Sequence, residues 1–271
     1  MNKGIFHRSE LLLGRERMQL MATKKVIIFG IGGVGSWCAE SLVRTGIQNL
    51  TIVDSDRVCI TNVNRQLMAT CKTVGQVKTE ALRNRLLEIN PKAQITAIQQ
   101  IFDKDTCNNF NLEQYDFIID AIDSLTNKML LIHMATRTKA LLFSSFGAAL
   151  KIDATRIKVA EFWNALGCPL GSKLRKMMRR RKLFPARKFM VVYSDEVLEN
   201  LGANEQCGTE KCLCPKSVSG SGNPDLADHE WCSLKAQING SLAHITATFG
   251  NFLAGLVIKS VYNELNTATK G

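Results

Sequence analysis

No Cys-x-x-Cys pair occurs among the nine cysteines of this 271-residue chain, so the spacing that most often closes a tetrahedral zinc site is missing. The nearest cluster, Cys207, Cys212, Cys214 and Cys232, has spacings of five, two and eighteen. It reads as a set of loop thiols rather than a zinc or iron–sulfur site, and nothing local marks Cys232 as an activated nucleophile. The odd cysteine count lacks a small-secreted-protein pattern. No leading stretch joins a basic start, an apolar core and a small-residue cleavage site. Both absences point to a reduced, cytoplasmic setting. Long apolar runs are scarce as well. The most apolar segment, 245–258, is interrupted by Thr246, Thr248 and Asn251; it is too short and polar to span a bilayer and is expected to be a buried helix, with no membrane partner. Acid is short relative to base. Twenty-four Asp and Glu face 35 Lys and Arg, a net charge of +11, which favours a polyanionic partner without saying which. No internal repeat is visible.

The most informative stretch that is present runs from Val26 through Gly30, Gly32, Gly33 and Gly35, with Asp54 nineteen residues beyond Gly35 and Asp56 close behind. A β-branched run enters a glycine turn and a helix leaves it, so the backbone can approach a phosphate and the helix aims its unpaired N–H groups there. The acid after the next apolar run is where such turns hold a ribose hydroxyl. An adenine nucleotide is the expected ligand.

Strand-like and helix-like segments alternate from there. Strands are expected over 26–29, 50–54, 94–98, 117–121 and 141–145, with helices over 34–45, 77–89 and 125–139. An amphipathic helix over 6–20 precedes them. The pattern predicts an α/β fold, a Rossmann-like, mostly parallel sheet with helices on both faces. Residues 1–150 form the nucleotide-binding core. Residues 151–271 add strands at 156–162 and 189–193, a basic helix at 173–183, a long Gly-, Ser- and Cys-rich loop at 199–230 and a closing helix at 241–265, continuous with the core.

A glycine turn alone would suggest a nicotinamide oxidoreductase. The residues that follow argue otherwise. Asn64-Arg65-Gln66, then Lys78 opening a helix, then Asp123 after Ile119-Asp120-Ala121-Ile122 supply two cations, two amides and a carboxylate around one site. A pyrophosphate bridge needs fewer donors. A triphosphate losing pyrophosphate needs fixed donors for the charge growing on the leaving group. Asp123, at a strand's carboxyl end, is placed to hold Mg²⁺ through oxygen.

In order and spacing, these elements resemble the adenylyltransferase superfamily that includes ubiquitin-activating enzymes and the activators of thiamine and molybdopterin sulfur carriers. The resemblance covers residues 5–150. It implies an ATP site in which Asp54 holds the ribose, Arg65 and Lys78 hold phosphates and Asp123 serves the metal. It also implies a homodimer whose partner copy sends an arginine toward the phosphates. Arg8, in Phe6-His7-Arg8-Ser9-Glu10, matches that position. The catalytic set so implied is Arg8, Arg65, Lys78 and Asp123, and the nucleotide contacts are the four glycines, Asp54, Asp56, Asn64, Arg65, Gln66, Lys78 and Asp123.

A narrower resemblance, to the tRNA threonylcarbamoyladenosine dehydratases, extends over nearly the whole chain apart from 199–230. It rests on residues 30–37, 58–66 and 118–124, on Lys173-Leu174-Arg175, on Val191-Val192-Tyr193-Ser194-Asp195-Glu196 and on Thr246-Ala247-Thr248-Phe249-Gly250. It implies ATP-driven activation of a carboxylate beside the anticodon, closing a ring with loss of water. The alternative is activation of the C-terminal carboxylate of a ubiquitin-like sulfur carrier; such activators commonly carry the two Cys-x-x-Cys pairs that are absent here. A monovalent cation beside the nucleotide and a cysteine-desulfurase or sulfur-acceptor partner are left open.

The basic helix suits the tRNA reading. Nine cations fall within sixteen residues from Lys173, and Leu174, Met177, Met178 and Leu183 supply an apolar stripe. Lys173, Arg175, Lys176, Arg179, Arg180, Arg181 and Lys182 are therefore expected to face outward as RNA-phosphate contacts. Trp163 and Phe184 are expected in the core.

Overall fold

The structure, a computed structural model, describes residues 4–203 and 238–268. Seven strands form one sheet in the order β3-β2-β1-β4-β5-β7-β6: β1 (Lys25–Phe29), β2 (Asn49–Val53), β3 (Gln94–Ile98), β4 (Phe117–Asp120), β5 (Leu141–Ser145), β6 (Ile157–Glu161) and β7 (Met190–Ser194). All neighbours are parallel except β6, which runs antiparallel to β7 at one edge. The central strands read as continuous apolar runs because both of their faces are covered. β4 is buried at every position, whereas the edge strands β3 and β6 are mostly not.

Alternation along β1 divides the core. Val26 and Ile28 join one apolar cluster and Ile27 and Phe29 the other, because successive side chains of a strand point to opposite faces. The first cluster packs under α3 (Gly35–Thr45), α4 (Lys78–Ile89) and α7 (Ala243–Ala268). The second packs under α5 (Leu125–Ala135) and α6 (Pro169–Arg181). β6 and β7 extend the same sheet.

Helix α7 is long and apolar enough to cross a membrane by length and composition. Its stripe of Ile245, Phe249, Leu253, Val257 and Val261 is instead wholly buried in the first cluster. Gly250 lets it close on α3: a Cβ there would lie 2.8 Å from the Cys38 nitrogen.

The helix expected over 6–20 is in fact two. The chain breaks at Gly14, at φ 80° and ψ 160°, leaving α1 (His7–Leu13) and α2 (Arg15–Thr23). The expected amphipathic face is only partly used, since Leu11 and Leu12 are 74% and 82% exposed while Met18 and Met21 of α2 are buried.

Candidate active site

The strand order reverses between β1 and β4, and the crevice at their carboxyl ends is where open α/β sheets place their ligands. Gly30 leaves β1 there at φ 81°, a conformation that favours glycine. A Cβ on Gly30 would lie 2.7 Å from the Ala121 carbonyl oxygen, and one on Gly35 would strike the Gly30 carbonyl. Only bare backbone lets β1, the strand-end loop after β4 and the start of α3 meet at this point. Gly33 lies against Thr246 of α7, so the closing helix braces the turn from about two hundred residues further along the chain.

The first two acids after β2 are drawn into the turn. Asp54 accepts a hydrogen bond from Ile31 N through Oδ2 at 3.0 Å and from Asp56 N through Oδ1 at 2.9 Å. Lys78, the first residue of α4, donates to Asp56 Oδ2 at 2.6 Å and lies 3.7 Å from Asp54 Oδ1. Its side chain is 6% exposed. Burial works against the ammonium charge, but the carboxylates of Asp54, Asp56 and Asp123 more than offset it and hold the Lys78 pKa above its ordinary value. Burial pushes the Asp54 carboxyl up, Lys78 opposes that and the neighbouring Asp56 carboxylate adds to it. Asp123 itself is exposed on the loop between β4 and α5. The structure therefore groups Asp54, Asp56, Lys78 and Asp123 above the glycine turn.

The Asn64-Arg65-Gln66 segment is clasped beside them. Arg65 Nη1 donates to Thr61 O at 2.8 Å and to Asn64 Oδ1 at 2.9 Å, and Asn64 Nδ2 donates to Ser241 O at 2.9 Å. Trp37 Nε1 of α3 donates to the Arg65 carbonyl at 3.1 Å, and Thr246 Oγ1 reaches the same oxygen at 3.4 Å. Gln66 is buried with its amide against Gly32, and its Oε1 has no hydrogen-bond partner among the described residues. A buried acceptor left unmet costs about 1–3 kcal/mol; a hydroxyl or amino group of a ligand in the turn would satisfy it.

Beneath this shelf is an arrangement that the sequence reading missed. Lys128 of α5 is fully buried and donates to Asp120 Oδ2 at 2.7 Å, which Ser144 Oγ also reaches at 2.7 Å. The other oxygen, Oδ1, accepts from Ile122 N at 3.1 Å. One buried ion pair thus ties β4, β5 and α5 together and fixes the loop that carries Asp123. The available signal was a lysine opening the apolar run Lys128-Met129-Leu130-Leu131-Ile132, eight residues beyond an acid at a strand end.

Arg8 is not brought into this group. It is exposed on α1, and no ion pair joins it to a site residue among the described residues. A cavity of about 710 Å³ between the β6–β7 edge and α7, lined in part by Val159, Met190, Phe252 and Leu256, contains none of the predicted nucleotide residues. The cysteines at 207, 212, 214 and 232, and most of the loop expected at 199–230, lie outside the described residues. Among the described residues no group of His, Cys, Asp or Glu forms a ready metal cage.

The basic helix divides. Lys173, Lys176, Arg179, Arg180, Arg181 and Lys182 are exposed as expected. Arg175 is not: it is 6% exposed and donates through Nη1 to Phe162 O at 3.1 Å and to Ala165 O at 2.8 Å. Gly171, Leu174, Arg175 and Met178 form the buried stripe of α6, a spacing that puts them on one helical face. The expectation that Arg175 contacts RNA is corrected on that ground. Phe184 also departs from expectation, being 43% exposed.

The ThiF family model matches residues 6–271. The chain is 34% identical over 250 residues, 88% of its length and 86% of the relative's, to the tRNA threonylcarbamoyladenosine dehydratase of Escherichia coli. It is similar, at 30% identity and a TM-score of 0.78, to the crystal structure of the E. coli tRNA N6-threonylcarbamoyladenosine dehydratase in complex with ATP, covering 99% of this chain and 97% of that one. The E. coli molybdopterin-synthase adenylyltransferase is similar over 107 residues only, 40% of this chain, at 33% identity. The chain belongs to the ThiF family.

Proposed function

We propose that this protein is an ATP-dependent tRNA threonylcarbamoyladenosine dehydratase. The carboxylate of the modified adenosine is activated by adenylation, pyrophosphate leaves, and attack from within the same nucleoside closes the ring and releases AMP. The observation that carries this reading is the charged Lys78 held between Asp54 and Asp56 above the glycine turn, in a chain similar along nearly its whole length to a dehydratase crystallised with ATP.

The residues divide the work by position. Asp54, anchored on the Ile31 and Asp56 amides, retains acceptor capacity for a ribose hydroxyl. Gly30, Gly32, Gly33 and Gly35 bring backbone to the phosphates, and Gln66 offers its unmet amide oxygen. Lys78 and Arg65 meet phosphate charge; Lys78 needs only to exchange one carboxylate oxygen for a phosphate oxygen, so its ammonium is already desolvated and charged when substrate arrives. Such fixed donors stabilise charge that develops on a leaving group without reorganisation. Asn64 holds Arg65 in place. Asp123 would hold Mg²⁺, which would supply positive charge to neutralise phosphate. No protein nucleophile is required, because holding the carboxylate and ATP in attack geometry is the main catalytic contribution.

The proposal extends to a homodimer in which Arg8 acts in the partner copy's site, supported by its exposure on a helix that also exposes Leu11 and Leu12. It places the protein in the cytoplasm with its tRNA, where thiols such as Cys38 and Cys168 stay reduced. The chemistry requires neither a monovalent cation nor a sulfur-acceptor protein. The test is stoichiometric: AMP should form only when tRNA bearing threonylcarbamoyladenosine is present, one per nucleoside converted. AMP formation driven instead by a sulfur-carrier protein would overturn the reading in favour of the carrier-activating alternative.

A further inference from the structure

We infer that the exposed cations of α6 form a track that grips the helical stem of the tRNA, leading away from the reacting base rather than surrounding it. The inference rests on the proposed activity for the identity of the RNA, and on the direction of α6 for everything else.

That direction is fixed at both ends. α6 starts at the carboxyl edge of the sheet, where Gly171 lies against the Phe146 ring just past the end of β5 and Leu170 packs 3.6 Å from where a Cβ of Gly147 would be. It ends at the opposite edge. Ala186 N donates to Thr136 Oγ1 at 2.9 Å and Arg137 Nη1 donates to Phe184 O at 3.4 Å, both at the far end of α5. Arg187 donates to the carbonyls of Lys139 and Ala140, the two residues before β5 begins. The nucleotide shelf lies at the carboxyl edge, so Arg179–Lys182 stand a strand's length away, roughly 16 Å for five residues at about 3.3 Å each. Lys173 and Lys176 lie between. From Lys173 to Lys182 the exposed cations cover about 14 Å along the helix axis at about 1.5 Å per residue.

At that distance the last turn of α6 reaches neither the ATP nor the base being cyclised. An RNA stem leading from the anticodon loop along this face of the sheet would come within reach of it. Double-stranded RNA is held mainly through phosphates and 2′-hydroxyls rather than base edges, and long exposed cations suit that. Among the described residues no carboxylate forms an ion pair with Lys173, Lys176, Arg179, Arg180, Arg181 or Lys182, so their charge is directed outward. One of them is pre-positioned. The Arg179 guanidinium lies 5.5 Å over the Trp163 ring, itself 6.3 Å from the exposed Phe184.

The test crosses a protein variant with RNA length and reads binding, so it does not depend on turnover. Wild-type protein and the Arg179→Glu/Arg180→Glu/Arg181→Glu variant are titrated with unmodified full-length tRNA and with a single-stranded oligonucleotide covering the anticodon loop alone. Arg180→Gln/Arg181→Gln serves as a companion variant, because acidic residues in a last helical turn oppose the helix dipole and could unfold it. Full-length tRNA should lose at least about tenfold in affinity with the charge-reversed variant, and the slope of log K against log salt should flatten by about 2–3, for three phosphate contacts at about 0.9 each. Binding of the short loop should not change. Equal losses on both RNAs, no loss on either, or failure of the wild-type protein to bind tRNA would each overturn the inference. Tight, stem-dependent binding without ring closure would leave the surface standing and defeat the proposed activity instead.

Discussion

Cations serve at both edges of this sheet and are held there in opposite ways. At the carboxyl edge Lys78 and Lys128 are almost or wholly withdrawn from water, each with a carboxylate within 2.7 Å, and each stands on the buried stripe of its helix. At the amino edge, Arg179, Arg180, Arg181 and Lys182 are exposed and have no carboxylate partner among the described residues. A charge that must act on a bond being broken has to be desolvated and immobile, so it needs individual partners and tolerates no substitute. A charge that holds a polymer's backbone acts through number and field, and each member is nearly replaceable. The same residue types therefore carry different mutational costs according to which edge they occupy.

That contrast can be broken most readily at the buried pair. Lys128→Met leaves Asp120 as an uncompensated buried carboxylate and should cost about 3–5 kcal/mol of stability by urea unfolding. Replacing both partners, Asp120→Asn with Lys128→Met, should recover most of that loss. The next effect is on the reaction. Lys78→Met should lower the rate of ring closure by about 10²–10³-fold, the usual loss when one fixed donor to developing charge is removed, while tRNA affinity stays within about twofold. A smaller comparison lies inside the basic run itself. Arg175→Met should cost about 1–3 kcal/mol, because it strands the Phe162 and Ala165 carbonyls, whereas Lys176→Met next door should stay within about 0.5 kcal/mol. Smallest of all, Arg180→Gln alone should lower tRNA affinity only a few-fold and reduce the salt slope by about 1. A single α6 cation whose loss matched that of Lys78 would erase the distinction.

The nucleotide shelf was legible in the sequence because its geometry leaves few choices of residue. Gly30 must leave β1 with positive φ against the Ala121 carbonyl, and Asp54 must follow the next strand to reach the Ile31 amide. The parallel sheet was legible because its central strands are buried on both faces and so read as unbroken apolar runs. Burial that depends on a distant partner was harder to read. Arg175 carries the same charge as Lys173 and Lys176, and only the stripe of Gly171, Leu174, Arg175 and Met178 gives away that it faces inward. Lys128 pairs with an acid on another element, a match that sequence separation conceals. The break at Gly14 was missed because the leucines before it suggested one continuous amphipathic face. That face is not covered by the described residues, as the exposure of Leu11 and Leu12 shows.

The central question is whether the Lys78 cluster drives carboxylate activation on RNA. The direct measurement is nucleoside mass spectrometry of tRNA bearing threonylcarbamoyladenosine after incubation with ATP, Mg²⁺ and either the wild-type protein or Lys78→Met. A nucleoside lighter by one water should form with the wild-type protein and almost none with the variant, at equal tRNA occupancy. An unchanged nucleoside with the wild-type protein, or full conversion by Lys78→Met, would contradict that role.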